Sequence, residues 1–352
     1  MTTSHMRVLV TGAGGFIGSH IAEQAVAAGH AVRGVVLPGE DRSLLRDWGV
    51  EVVVGDLADP EVATRAVAGC EVIYNAVGNV NIYDPRAVLY RGNVWATESL
   101  LKAAAAAGVR RMVQASSYLV SLGGSFHYWK GGLIAEQMPA HPRFWRWDYY
   151  TQTKVAGEQA VLRAHDERLL EAVPLRIGWV YGSRNQATFP VLVNMLRRGQ
   201  LMLLGDGRNR LGLVHVTDVA RAFLLAGRDT VAAGRPYVIE GVAGQPAVTQ
   251  ADFLNGIADA VGAPRPRRRV PFGVALALGT ALETTWHLLG KAQPPLSSFI
   301  VHLLGRDQHF DTSRAEHELG WRPHVGFEAG MREIHAWLMC DSSKLLTQEA
   351  CT

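Results

Sequence analysis

An α/β fold built on a doubly wound parallel sheet is predicted by three features of this sequence. Short apolar runs rich in β-branched residues alternate with longer helix-like stretches. A glycine-rich turn, Gly12-Ala13-Gly14-Gly15-Phe16-Ile17-Gly18, directly follows the first of these runs. Further on, Tyr150-Thr151-Gln152-Thr153-Lys154 sets a phenol and an ammonium four residues apart, on one face of a helix.

Taken in order, Val8 to Val10 is the first strand, and the stretch from Phe16 to Ala28 is the helix that follows the turn. Val32 to Val36, Val52 to Val54, Val72 to Tyr74, Met112 to Gln114 and Val173 to Ile177 repeat the pattern. Runs that are apolar at successive positions suit strands covered on both faces. Ala103 to Ala107 reads as a closely packed helix, and Tyr237 to Glu240 as a strand that rejoins the sheet. The expected division is a dinucleotide-binding domain, residues 1–184 plus 212–241, and a smaller, mainly helical substrate domain, residues 185–211 plus 242–340, with a tail at 341–352. Ligands bind at the carboxyl ends of the strands in such sheets, so the cleft between the two parts is the expected site.

The two motifs need each other. The glycines permit a tight turn and let backbone N–H groups approach a pyrophosphate at the positive end of a helix. A free tyrosine has a pKa of about 10 and is a poor acid-base group at neutral pH unless a cation stabilises its phenolate. Lys154 is that cation by spacing.

Between and after the motifs lie Gly55-Asp56-Leu57, Asn75-Ala76-Val77-Gly78, Asn93, Ser116-Ser117, and the stretches LRIGWVYG, GDGRNRLGLVHVTDVA and FDTSRAEHELGWRP. In this order and spacing the chain resembles the extended short-chain dehydrogenase/reductase family, the NAD-dependent epimerase/dehydratase superfamily, from about Met6 to about Leu338. The resemblance implies a Rossmann-type fold and NAD or NADP as cofactor. Gly12, Gly15, Phe16, Ile17 and Gly18 would form the pyrophosphate cradle, and Asp56, followed by Leu57, would reach the adenine. Asn75, Ala76, Val77 and Ile177 would border the nicotinamide. Tyr150 is implied as general acid/base and Lys154 as its partner and holder of the nicotinamide ribose. Ser117 would orient the substrate oxygen, with Ser116 as the alternative one residue earlier, and Asn93 falls at a family position near the site.

Cofactor choice in such folds rests on the end of the second strand, where an acid takes the ribose of NAD and an arginine the phosphate of NADP. Leu37 stands there, with Arg33 and Arg42 available to a phosphate and Glu40 and Asp41 to a ribose, so the choice stays open.

Substrate class is read from departures. Nucleotide-sugar enzymes of this family often carry an Asn where this chain has Trp179 and an Arg where it has Leu211, with Arg210 one residue away. Eight aromatics fall between residues 126 and 150: Phe126, Tyr128, Trp129, Phe144, Trp145, Trp147, Tyr149 and Tyr150. Aromatic walls suit a bulky apolar ligand with one polar handle. The C-terminal part looks like the 3β-hydroxysteroid dehydrogenase branch and related reductases of β-keto or β-hydroxy acids. The expected reaction is interconversion of a secondary alcohol and a ketone on a hydrophobic molecule. A nucleotide-sugar epimerase or dehydratase is the alternative, and a non-catalytic NADP sensor a further one, against which intact Tyr150, Lys154 and Ser117 argue.

Composition sets bounds. A 48% hydrophobic, 19% charged chain of net charge +3 is ordinary for a globular protein and carries no general attraction to nucleic acid. Arg265, Arg267, Arg268 and Arg269, interleaved with prolines, read as a solvated linker. Cys70, Cys340 and Cys351 have neither metal nor redox spacing, so no metal site is expected and a reducing, cytoplasmic setting is. The start, MTTSHM, enters the first strand too soon for a secretory leader. Phe272 to Leu282 is too short to span a bilayer, and with Leu296 to Leu304 it reads as buried packing in preference to contact with a membrane surface. The resemblance also allows a homodimer.

Overall fold

The computed structural model describes residues 5–122, 133–140, 148–228, 232–245, 247–291 and 293–340. Six strands, β1 (Arg7–Thr11), β2 (Ala31–Val36), β3 (Glu51–Val54), β4 (Val72–Asn75), β5 (Arg111–Ser117) and β6 (Glu171–Ile177), join Tyr237–Ile239 in one seven-stranded sheet. Every neighbouring pair is parallel. In spatial order the sheet runs Tyr237–Ile239, β6, β5, β4, β1, β2, β3, so the order reverses between β1 and β4 and opens a crevice over their carboxyl ends.

Alternation along each strand builds both faces. Val8, Val10, Val72, Tyr74 and Val113 pack on one side with Ile21 and Ala25 of α1 (Phe16–Ala27). Leu9, Ile73 and Met112 turn to the other side. There they meet Val62 and Ala66 of α3 (Pro60–Val67), which follows the short α2 (Ser43–Asp47). Next come α4 (Arg86–Tyr90), a π-helical turn at Arg91–Trp95, α5 (Ala96–Ala106) and α6 (Tyr149–Asp166), which adds Ala160 and Val161 to this second core. Each large apolar side chain fully buried in this way contributes about 1.5–3 kcal/mol.

The strands run longer than their apolar centres. β5 and β6 begin at Arg111 and Glu171, whose side chains pair at 2.7 Å, so a charged pair extends the ladder where hydropathy ends. The remaining helices are α7 (Phe189–Arg197), α8 (Val216–Ala226), α9 (Gln250–Ala260), α10 (Phe272–Leu288), α11 (Ser298–Gly305) and α12 (Phe327–Cys340). Helix α8 joins the sheet, whereas α7, α9 and α12 share a separate core of Phe189, Val193, Phe253, Ile257, Ile334 and Leu338.

Two expectations about the later chain change. Helix α10 is not buried packing: only Ala275, Gly279 and Glu283 are covered, while Val274 and Leu278 are 58% and 52% exposed. Its contact is a narrow stripe of small residues, where a Cβ on Gly279 would stand 3.1 Å from the Ser298 nitrogen of α11. The arginine cluster is only partly linker, because Arg269–Val270 pairs with Leu203–Leu204 and Arg265 is bound to Asp259. No helix among the described residues is long and apolar enough to cross a membrane.

Candidate active site

The turn between β1 and α1 is built by close approach. Gly12 has φ +61°, and a Cβ on Gly18 would fall 2.0 Å from the Gly12 carbonyl oxygen, so any side chain there would push the helix off the strand. Gly15 caps α1 without a side-chain hydrogen bond, leaving its first N–H groups aimed at the crevice. Phe16 and Ile17 begin the helix. A glycine cradle at an uncapped helix start fits a dinucleotide pyrophosphate. Behind it, Thr11 donates to Asn75, Asn75 donates to Gln114, and the Thr11 hydroxyl accepts from the Val77 N–H at 3.1 Å. The Asn75 side chain thus braces three strands, and what the crevice receives from this segment is the chain of Ala76 and Val77.

Asp56 follows Gly55 at the end of β3; its carboxylate accepts from the Ala58 N–H at 2.8 Å and from Arg91 Nε at 2.7 Å. The Leu57 side chain is buried in the second core, 2% exposed. Arg33, read from sequence as open to a phosphate, is not: its guanidinium is buried, donating to the Ala66 and Ala68 carbonyls at 2.9 and 2.7 Å and paired with Glu51. Its position in the middle of β2 points it across the sheet to α3. Glu40 instead turns back over the turn, accepting from the Leu37 N–H at 2.9 Å with a carboxylate oxygen 3.2 Å from where a Gly14 Cβ would lie. Arg42 is exposed.

Ser117, Tyr150 and Lys154 converge. Ser116 and Ser117 are adjacent on β5 and face opposite ways: Ser116 donates to the buried Glu158 carboxylate, while the Ser117 hydroxyl accepts from the Leu119 N–H at 3.3 Å and lies on the side of the Tyr150 phenol. Burial pushes the Tyr150 phenol up to about 12, the neighbouring Ser117 hydroxyl opposes this, and the charge of Asp148 adds to it. Lys154 is not among the groups that shift it. The Lys154 ammonium donates to the Ala115 carbonyl at 2.8 Å, and burial pulls it down to about 8 against the pull of Glu158.

Asn93 is engaged by the scaffold. Its Oδ1 accepts from the Asn79 N–H at 2.7 Å and its Nδ2 donates to the Asn79 carbonyl and to Thr153. It fastens the loop after β4 to α6 and brings Gly78 against Lys154, where a Cβ on Gly78 would stand 3.4 Å from the ammonium.

Tyr150 sits in an apolar cluster with Leu89, Tyr118, Ile134, Phe299 and Phe310, to which Tyr149 adds a half-buried ring. Phe126, Tyr128, Trp129, Phe144, Trp145 and Trp147 lie outside the described residues. Trp179 packs on Phe253 of α9, ring centroids 5.3 Å apart, and Leu211 is buried in the same separate core. Arg210 is gripped by Asp307 through both carboxylate oxygens. These three positions therefore form no diphosphate clamp.

Three groups at the site were missed by sequence reasoning. Asp148 caps α6, accepting from the Thr151 N–H at 2.8 Å, and burial pushes its carboxyl up to about 6. Glu158 and Arg176 form a buried ion pair at 2.6 Å, and Arg176 also donates to Ser121 and the Met138 carbonyl. The available signal was a charge standing inside an apolar window, at Glu158 four residues beyond Lys154 and at Arg176 in LRIG. Among the described residues no group of His, Cys, Asp and Glu could hold a metal ion.

A switch-point glycine cradle with a Ser, Tyr and Lys at the neighbouring strand ends defines a Rossmann-type oxidoreductase that uses NAD or NADP. The chain belongs to the NAD dependent epimerase/dehydratase family, which matches residues 8–239, and within it to the extended short-chain dehydrogenase/reductases of the 3β-hydroxysteroid dehydrogenase-like branch. It is 31% identical to a 2-alkyl-3-oxoalkanoate reductase of Stenotrophomonas maltophilia over 94% of this chain and 99% of that one. It is 29% identical to a 3 beta-hydroxysteroid dehydrogenase/Delta 5→4-isomerase of Mycobacterium tuberculosis over 92% and 88% of the two chains. A dTDP-glucose 4,6-dehydratase double mutant of Streptomyces venezuelae, solved with NAD bound, matches with a TM-score of 0.73 at 25% identity over 96% and 98%.

Proposed function

We propose that this enzyme interconverts a ketone and a secondary alcohol on a hydrophobic substrate of the β-keto or β-hydroxy acid or steroid-like kind. The observation that carries the reading is the Tyr150 phenol, buried within the apolar cluster of Leu89, Tyr118, Ile134, Phe299 and Phe310, with Lys154 one helical turn on bound to the Ala115 carbonyl of the strand that carries Ser117. When bound, the nicotinamide supplies or accepts the hydride. Tyr150 gives its proton to the carbonyl oxygen in reduction and takes it back in oxidation. Ser117 orients that oxygen, and Lys154 serves the nicotinamide ribose. The cleft lies between the sheet and the smaller core of α7, α9 and α12, which we assign as the two domains.

The substrate class is supported by what Arg210, Leu211 and Trp179 do. Charge-assisted hydrogen bonds to a diphosphate are worth about 1.5–3 kcal/mol each. Here the Arg210 guanidinium is already paired with Asp307. The name of the Stenotrophomonas maltophilia relative points to a 3-oxo acid and agrees with this reading. Glu40 over the glycine turn favours NAD over NADP, because a second anion would meet the extra phosphate.

The test is stoichiometry. Purified enzyme should consume or form NAD(P)H in proportion to a hydrophobic ketone or alcohol and should not bind UDP- or TDP-sugars. Interconversion of nucleotide-sugar epimers without net change in cofactor would overturn the reading.

A further inference from the structure

Glu240 follows the last strand of the sheet. Ile239 is in register with Ile177, and Ile177 with Ser117, so Glu240 enters the same carboxyl edge as the Ser117 hydroxyl. With strands about 4.8 Å apart, two steps across the sheet place its backbone roughly 10 Å along that edge from Ser117. Gly178, the residue after β6, makes room for it: a Cβ on Gly178 would stand 3.3 Å from Glu240 Cγ.

Among the described residues the Glu240 carboxyl has no hydrogen-bond partner. Burial pushes it up to about 8, opposed only by the charge of Arg210, so at neutral pH it is a carboxylic acid with an O–H to donate. Arg210 does not take that role of partner, since its guanidinium is held by Asp307. A half-open, unpartnered acid at the ligand edge of the sheet is a donor without an acceptor.

We propose that Glu240 is a specificity-determining residue that donates a hydrogen bond to a second acceptor oxygen, carboxylate or carbonyl, carried by the hydrophobic substrate away from its reacting centre. The proposal rests on the reading of the enzyme as an oxidoreductase of hydrophobic ketones. It deepens that reading by requiring two oxygens on the substrate, one for Ser117 and Tyr150 and one for Glu240.

The experiment measures calorimetric binding to the enzyme loaded with oxidised NAD, which cannot react, and turnover separately with NADH as the hydride donor, for three compounds of matched carbon skeleton: a plain long-chain ketone, a diketone and a 3-oxo acid. Wild type, Glu240→Gln and Glu240→Leu are compared, with thermal melts to show that each variant is folded. Glu240→Leu should weaken the diketone or the oxo acid by about 10- to 100-fold and leave the plain ketone unchanged. Glu240→Gln, which keeps a donor, should stay close to wild type. Whichever of the two oxygenated compounds loses more identifies the acceptor as carbonyl or carboxylate. Equal losses on all three compounds, or none, would overturn the proposal. Glu240-dependent binding without any turnover would instead overturn the functional reading and leave the contact standing.

Discussion

Tyr150 holds its proton tightly, since burial lifts the phenol to about 12 and the neighbouring Ser117 hydroxyl pulls it back only in part. A phenol in that state is ready to donate as a carbonyl oxygen gains charge. Tyr150→Phe removes one oxygen and should lower kcat by about 10²- to 10⁴-fold while cofactor binding, followed by fluorescence titration, stays near wild type. Retained turnover would remove Tyr150 from its role. At the other end of the cofactor, Glu40 leads us to expect a lower Kd for NAD than for NADP, and Glu40→Ala should narrow the gap by restoring NADP binding. Equal affinities in the wild type would show that the carboxylate swings clear. Tyr150, Lys154 and the glycines stand out in the sequence as candidates because those motifs are local. The sequence could not rank Arg33 against Glu40, since what separates them is that Arg33 reaches α3 through the sheet interior and Glu40 folds back on Leu37.

Helix α6 carries both Tyr150 and Lys154, and its start depends on Asp148. That carboxyl titrates near 3.8 in an open chain and is pushed up to about 6 by burial in the fold. Below the lower value both states hold the proton and Asp148 has no effect. As pH rises through that window the unfolded chain loses the proton first, so stability falls, by on the order of 3 kcal/mol for a change of this size, and the deficit persists above pH 6. Asparagine caps a helix about as well and has no charge to bury. Asp148→Asn should therefore melt at a higher temperature than wild type at pH 8 and at nearly the same temperature at pH 4. A variant that melts lower at pH 8 would mean that the cap needs its charge. The elements themselves were legible where short apolar runs alternate with helix-like stretches, as from β1 to β4. Helix α10 was misread because its apolar sequence looks like core, whereas it is covered at Ala275, Gly279 and Glu283 and leaves Val274 and Leu278 exposed.

Across the whole molecule, the parts of the site that the sequence left dark are those made by register. Glu240 matters because Ile239, Ile177 and Ser117 line up on three strands, each about sixty residues from the next in sequence. Nothing local marks it. The Glu158–Arg176 pair is the same kind of feature, joining α6 to β6, to Ser116 on β5, to Ser121 and to the chain at Met138. Both side chains are nearly fully covered, at 0% and 3% exposed. Removing one partner strands a charge where water cannot reach it, whereas removing both leaves an apolar gap that packing can fill. Arg176→Met alone should therefore cost about 3–5 kcal/mol in denaturant unfolding. Adding Glu158→Leu should recover much of that loss, because the stranded carboxylate is gone. Turnover should not recover with it, since Ser116 loses the acceptor that holds the end of β5 and the chain at Met138 loses its tether. If the double variant regained both stability and kcat, the pair would be a filling of the core and not the brace that sets Ser117 against Tyr150.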